Sequence, residues 1–287
     1  MKILQEKRCI IGECPVWNTA DQTLYFTNAY GNEICIYDEK TNTVRVRSLP
    51  LNVAAMAFDE KNRLVVSHKD GVHVLNGDDS LSPIYDHATY EIKHANDMKV
   101  GPDGAIYVGT QSGKRLRVSE EIDGKLYRIS PTGEVTVLLD GLILSNGMEW
   151  SLDETKFYHT DSPTKTIKEY HFNKETGQIS PTGRAVEVKG VDGFAIGLDG
   201  RLYVGCWGQG HVAIVDTDTL TVSGYIDTPT KTPTSCGFCG EGLDVLAITT
   251  ASLSAKLDED PSAGFTILQK VGTRGRKPYL FGTVKGK

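Results

Sequence analysis

Glu13, Asn96, Asn146 and Asp192 share a chemistry and a spacing: each stands four residues ahead of an apolar anchor, respectively Trp17, Val100, Trp150 and Ile196. Carboxylate and amide oxygens are hard ligands. Glu13, Asn146 and Asp192, with water completing the shell, therefore suit Ca²⁺, Mg²⁺ or Mn²⁺ better than a thiolate-seeking metal. Asn96 fits either the ion or a substrate oxygen. The competing role is local, because Asx side chains readily bond the backbone N–H groups of their own turns. Four such residues at equivalent positions favour a shared site, since converging carboxylates repel unless a cation lies between them.

A repeat is what makes those positions equivalent. "LYFTN" (24–28), "LVVSH" (64–68), "IYVGT" (106–110), "FYHTD" (157–161), "LYVGC" (202–206) and "LAITT" (246–250) share one pattern. Their spacing of roughly 40 to 50 residues is the period of propeller blades. Upstream of each lies a short strand and a turn, such as "KVGPDG" or "AIGLDG", which reads as a hairpin. Downstream come two more strands, such as "KLYRISPTGEVTVLL". Four strands in each of six units predict an all-β chain: a six-bladed propeller of four-stranded antiparallel blades around a central channel. With no linker between halves, residues 1–287 read as one domain. The sixth unit runs out of strand, so the N-terminal "KILQEKR" is expected to close it. A twin sandwich or repeated barrel is the competing architecture. Alignment of all six units adds Ala54 and Ser235 to the ring.

In a propeller the second strand of each blade ends on the face of that ring, so the loops after it wall any pocket. Two are long, 111–124 and 251–264. The first carries Lys114, Arg115 and Arg117, suited to an oxygen-rich or anionic ligand or simply to solvent. The second is acidic and reads as a surface excursion. Trp207 and Tyr30 follow their strands closely enough to face a sugar ring, although packing is the commoner use of an aromatic.

Composition narrows the partners. The chain has 31 Lys and Arg against 37 Asp and Glu, a net charge of −6, and its basic residues are scattered. No footprint for nucleic acid is present. "MKILQEKRCIIGECPVW" lacks the pattern of a secretory signal, and no apolar stretch approaches a membrane span. The expectation is a soluble, cytoplasmic protein with a small-molecule partner and no membrane partner; oligomeric state is left open. Six irregularly spaced cysteines suit reduced thiols, and "CGFC" (236–239) lacks both the helix of a redox pair and the second pair of a zinc ribbon. His159 reads as a structural hydrogen-bonding residue. No nucleophile elbow is present, so no covalent serine mechanism is expected.

At these residues the chain resembles the regucalcin (SMP-30) and gluconolactonase family. The similarity runs through "IGECPVW", "HANDMKVGPDGAIYVGT", "LSNGMEWSLDETKFYHTD", "VDGFAIGLDGRLYV" and "TSCGFCGEGLDVLAITTA", in that order. The resemblance implies one divalent metal held by Glu13, Asn146 and Asp192, with Ca, Mg, Mn, Zn and Fe not distinguished. It implies Asn96 on the substrate or metal-bound water, and hydrolysis of sugar lactones to aldonic acids. Asp192 is the candidate general base, and Asp97 is expected to brace the Asn96 loop. Two positions depart: His94 stands where many members carry arginine, and Lys114 where animal regucalcins place an acid. Both are substrate-facing in the family, so His94 and Lys114 are expected to select among substrates. A non-catalytic metal-binding propeller, acting as a calcium-binding regulator or interaction platform, is the alternative.

Overall fold

Six four-stranded antiparallel sheets form a six-bladed β-propeller. The structure, a computed structural model, describes residues 1–113 and 122–282. The innermost strands of blades 1 to 6 are Gly12–Asn18, Ala55–Phe58, Ala95–Val100, Ser145–Trp150, Val191–Ile196 and Pro233–Cys239. Each pairs with the strand that follows it, and each of the first five blades then runs outward in sequence order. Blade 6 takes its outermost strand, Lys2–Leu4, from the start of the chain; this strand pairs antiparallel with Thr266–Lys270. Among the described residues no helix is long and apolar enough to cross a membrane.

Turn chemistry punctuates the blades. Tyr25, Tyr107 and Tyr203 each donate a hydrogen bond to an aspartate four residues earlier, Asp21, Asp103 and Asp199, at 3.0 Å. The aspartate sits in the turn and the tyrosine on the returning strand, so one bond fixes the bend of each hairpin. Such a bond contributes about 1 kcal/mol. Between blades the cement is aromatic and aliphatic. Trp150 meets Tyr107 edge-on, ring centroids 4.8 Å apart, and packs on Phe157 at 5.0 Å, joining blades 3 and 4.

One irregularity recurs where the sequence places the ring. In blades 1, 3, 4, 5 and 6 the register between the inner strand and its partner slips, between Glu13 and Val16, Ala95 and Met98, Asn146 and Met148, Val191 and Phe194, and Pro233 and Cys236. Blade 2, which offers only Ala54, has a regular ladder. A bulge adds a residue on one strand and re-aims the side chains beside it. Close packing around the bulges demands glycine: a Cβ on Gly147 would lie 2.2 Å from the Phe194 ring and 2.4 Å from the Asp192 carbonyl oxygen.

The other end of the channel is covered by a strap with no counterpart in the repeat. Residues 274–282 leave blade 6 and bond in turn to Leu198, Leu243, Phe58, Glu60 and Gly104. Arg276 donates to the Ser151 carbonyl and pairs with Glu149, while Tyr279 donates to Glu154 at 2.6 Å.

Candidate metal and substrate site

The bulged mouths of the inner strands open into a cavity of about 400 Å³. Glu13, Ala54, Asn96, Asn146 and Asp192 all line it. Ser235, the sixth ring position, instead borders a second cavity of about 200 Å³ deeper in the channel, together with Cys14, Asp97 and Lys99. Asn96 Nδ2 donates to Asn146 Oδ1 at 2.6 Å and to the Ser145 carbonyl at 3.1 Å. Asn146 Nδ2 donates to Ser162 Oγ at 2.9 Å. Both amide nitrogens are thus held by the protein, which leaves oxygen lone pairs as what the amides offer a guest.

Three carboxylates crowd this waist. Burial pushes Glu13 well above the usual carboxylate range, reinforced by Asp192 and Asp97, with only the Cys14 N–H opposing. Burial does the same to Asp192, reinforced by Asp97 and opposed by the Gly193 N–H. Asp97 is also raised, by burial, although the Lys99 cation and the Met98 N–H oppose the shift. Like charges out of water raise one another's pKa, and a cation among them reverses the effect. Among the described residues no three His, Cys, Asp or Glu side chains form a metal-binding group. The donors are two acids and an amide, few and hard, with room for water or substrate on the same ion. This set fits a divalent cation.

Beneath the carboxylates lies an ion chain. Lys99 Nζ donates to Glu149 Oε2 at 2.9 Å and to the Phe194 carbonyl at 2.8 Å. Burial works to raise the Glu149 pKa, but Lys99 and Arg276 outweigh it and hold the group below its usual value. Behind Asn146, the buried His159 Nε2 and Ser145 Oγ share a hydrogen bond of 2.7 Å. Burial, with Lys168 nearby, pushes His159 down to about 3, so it is a neutral scaffold at ordinary pH.

The remaining residues singled out in the sequence separate clearly. Trp207 and Tyr30 line the cavity. His94 does not: it is exposed, at φ 53°, and its backbone bonds Lys69 and Gln111. Lys114, with Arg115 and Arg117, lies outside the described residues. Cys236 and Cys239 are buried free thiols in the inner strand of blade 6, both pushed upward by burial. Sequence reasoning missed the apolar wall. Ile11 and Leu144 stand two residues ahead of Glu13 and Asn146, and Leu253 comes from the acidic loop taken as a surface excursion. The signal was available, since a period of two puts residue −2 on the face of the ring residue.

Residues 11–252 match the family described as SMP-30/Gluconolactonase/LRE-like region. The chain belongs to this family. A Bacillus subtilis (strain 168) protein that carries the name sugar lactone lactonase YvrE is 30% identical over 285 residues, covering 96% of each chain. Regucalcin of Bos taurus is 28% identical over 291 residues, covering 97% of each. Among solved structures, a regucalcin from Agrobacterium tumefaciens, described as a calcium-binding protein, superposes with a TM-score of 0.86 at 24% identity. That match covers 97% of this chain and 96% of the other, and it speaks to the fold. Membership in this family supports a sugar-lactonase type of activity.

Proposed function

We propose that the chain hydrolyses a sugar-type lactone to its hydroxy acid with one divalent metal ion held by Glu13, Asn146 and Asp192. The observation that carries this reading is the pair of carboxylates, Glu13 and Asp192, that line one cavity and are both raised by burial and by Asp97, Glu13 by Asp192 as well. Family membership supplies the reaction type. When bound, the ion polarises the ester carbonyl and offsets the negative charge that develops on its oxygen.

The chain's own groups do the rest. Asp192 takes the proton of the attacking water as the new bond to the carbonyl carbon forms. The ring C–O bond then breaks, and the proton passes to the departing ring oxygen, leaving an open hydroxy acid. Asn96, its nitrogen anchored on Asn146 and Ser145, presents its oxygen to the water or to a substrate hydroxyl. Asp97 keeps negative charge next to the site and is itself restrained by Lys99.

Metal-free protein reconstituted with each divalent ion tests the proposal through initial rates on a lactone panel. Asp192→Ala is expected to lower kcat/KM by about a hundredfold or more, the usual scale for a general base, and to weaken ion binding in parallel. Glu13→Gln is expected to weaken the ion with the fold retained. Full metal content and full rate in Asp192→Ala would sink the assignment. An ion that raises the melting temperature with no turnover of any lactone would instead favour the non-catalytic reading.

A further inference from the structure

We propose that Gln111 is a specificity-determining residue that reads two adjacent hydroxyl groups of the sugar lactone, a role that His94 does not fill; the inference rests on the hydrolytic reading above and deepens it. Gln111 follows directly on the strand Ile106–Thr110 and lines the cavity. Ala95 pairs with Thr110, so the next rung of that ladder sets Gln111 opposite His94, and the Gln111 N–H donates to the His94 carbonyl at 3.1 Å. On its other side Gln111 forms an antiparallel bridge with Leu144 of the next blade. Opposed residues of an antiparallel pair share a face, and Leu144 lines the same cavity two residues ahead of Asn146. Gln111 therefore stands in the seam between blades 3 and 4, beside the ring residues of both. His94 occupies the same rung, but its φ of 53° breaks the strand alternation, and the residue is exposed and outside the cavity lining.

The chemistry of this amide differs from that of its neighbours. Asn96 spends its nitrogen on Asn146 and Ser145, and Asn146 spends its own on Ser162, so both turn oxygen to the guest. Among the described residues no hydrogen bond engages the Gln111 amide, which leaves a carbonyl acceptor and an N–H donor side by side. A hydroxyl both donates and accepts. Two hydroxyls on neighbouring ring carbons can therefore meet one amide with a bond in each direction, and a lactone without one of them leaves part of the amide unpaired. The backbone that carries Gln111 is already fixed. Besides the bond to His94, Ser112 N–H donates to the Ile143 carbonyl at 2.8 Å, and Ser112 Oγ accepts from the Asp123 N–H at 3.1 Å. Less ordering is then left to be done when the sugar arrives.

The test crosses variants with substrates on the metal-reconstituted full chain: glucono-δ-lactone against its 2-deoxy, 3-deoxy and 4-deoxy analogues. Gln111→Leu and Gln111→Ala, at a partly exposed position, are each expected to lower kcat/KM on the parent lactone by about thirtyfold, the loss of two hydrogen bonds. On an analogue that lacks one of the two hydroxyls the same variants should lose only about fivefold, one bond's worth. Melting temperature and divalent-ion affinity should stay as they are. His94→Asn, which keeps a residue that tolerates the left-handed backbone, should leave all four rates unchanged. A second readout needs no turnover: the change in Trp207 fluorescence when glucono-δ-lactam binds, a signal that Trp207→Phe abolishes and both Gln111 variants shift to higher lactam concentration. A loss that is equal on all four lactones, no loss at all, or a hydroxyl preference that His94→Asn removes would overturn the inference while leaving lactone hydrolysis intact. If no lactone turns over with any ion, yet the lactam binds and both Gln111 variants weaken it, the role of Gln111 stands and the hydrolytic reading falls.

Discussion

Three histidines away from the metal site give blade 2 a built-in sensitivity to acid. His68 Nε2 and His73 Nδ1 share a 2.8 Å hydrogen bond, His87 lies tilted against His73 with centroids 4.3 Å apart, and Tyr85 stacks on His87 at 3.9 Å. Burial, then the His68 and His87 charges, push His73 down to about 4, and His68 and His87 are lowered too, chiefly by burial. Asp70 works against the shift on His68 and His73, and Asp86 on His87. A lowered folded pKa means that the unfolded chain binds the proton first. Stability is therefore fully present above about pH 6.5, the ordinary histidine value, and falls as the pH drops towards 4. Melting temperature against pH checks this: the chain should lose stability across that window, and His73→Asn should flatten the slope. An unchanged slope in the variant would show that other groups govern the acid limb. At this same scale the sequence spoke plainly about Glu13, Asn96, Asn146 and Asp192, because each is counted from a nearby anchor. It was silent on which way His94 turns, since a single left-handed φ leaves no trace in residue type.

Among the elements, the bulged inner strands carry the site. Five blades slip their register at the ring, and the one that does not has alanine there. Gly147 lets the blade 4 bulge lie against Phe194 and the Asp192 backbone. Gly147→Ala is expected to cost about 1–3 kcal/mol, the usual penalty for overpacking, and to weaken divalent-ion binding, because the added Cβ would push the residue after Asn146 against the Asp192 backbone. Denaturant unfolding read beside a metal titration checks both; a destabilised variant with unchanged ion affinity would separate the bulge from the site. Hairpins, blades and their order were legible because turn residues and strand period are local signals repeated six times. The wall was not. Leu253 sits in a stretch rich in Asp, Ser and Lys, and only the folding back of that loop onto Ile10 brings it to the cavity. Asp97, expected to brace its loop, accepts from the Met98 N–H at 2.8 Å, and its carboxylate also adds to the charge that burdens Glu13 and Asp192.

For the molecule as a whole, both ends of the described chain are structural. The strap covers the far mouth of the channel and inserts Arg276 beside the buried Glu149. Arg276→Met should leave Glu149 with Lys99 as its one remaining cation, beside the Trp150 N–H, and destabilise by about 3 kcal/mol, the scale of breaking a buried pair. Thermal unfolding checks the figure, and a loss well under 1 kcal/mol would mean that Lys99 suffices. The strap has no period and no twin in the repeat, so nothing in the sequence announced its path. At the other end, Lys2–Leu4 supplies the last strand of blade 6. During synthesis that strand leaves the ribosome about 260 residues before its partner, Thr266–Lys270, exists. That strand must therefore wait unpaired until the other strands of the ring have been made, and the closing contact is among the most distant in the described chain. Loop closure over such a distance slows folding. A circular permutant that joins residues 1–8 directly after residue 270, with new termini in an exposed turn between blades, would make the same contact local, and the ring would close without waiting for its own beginning.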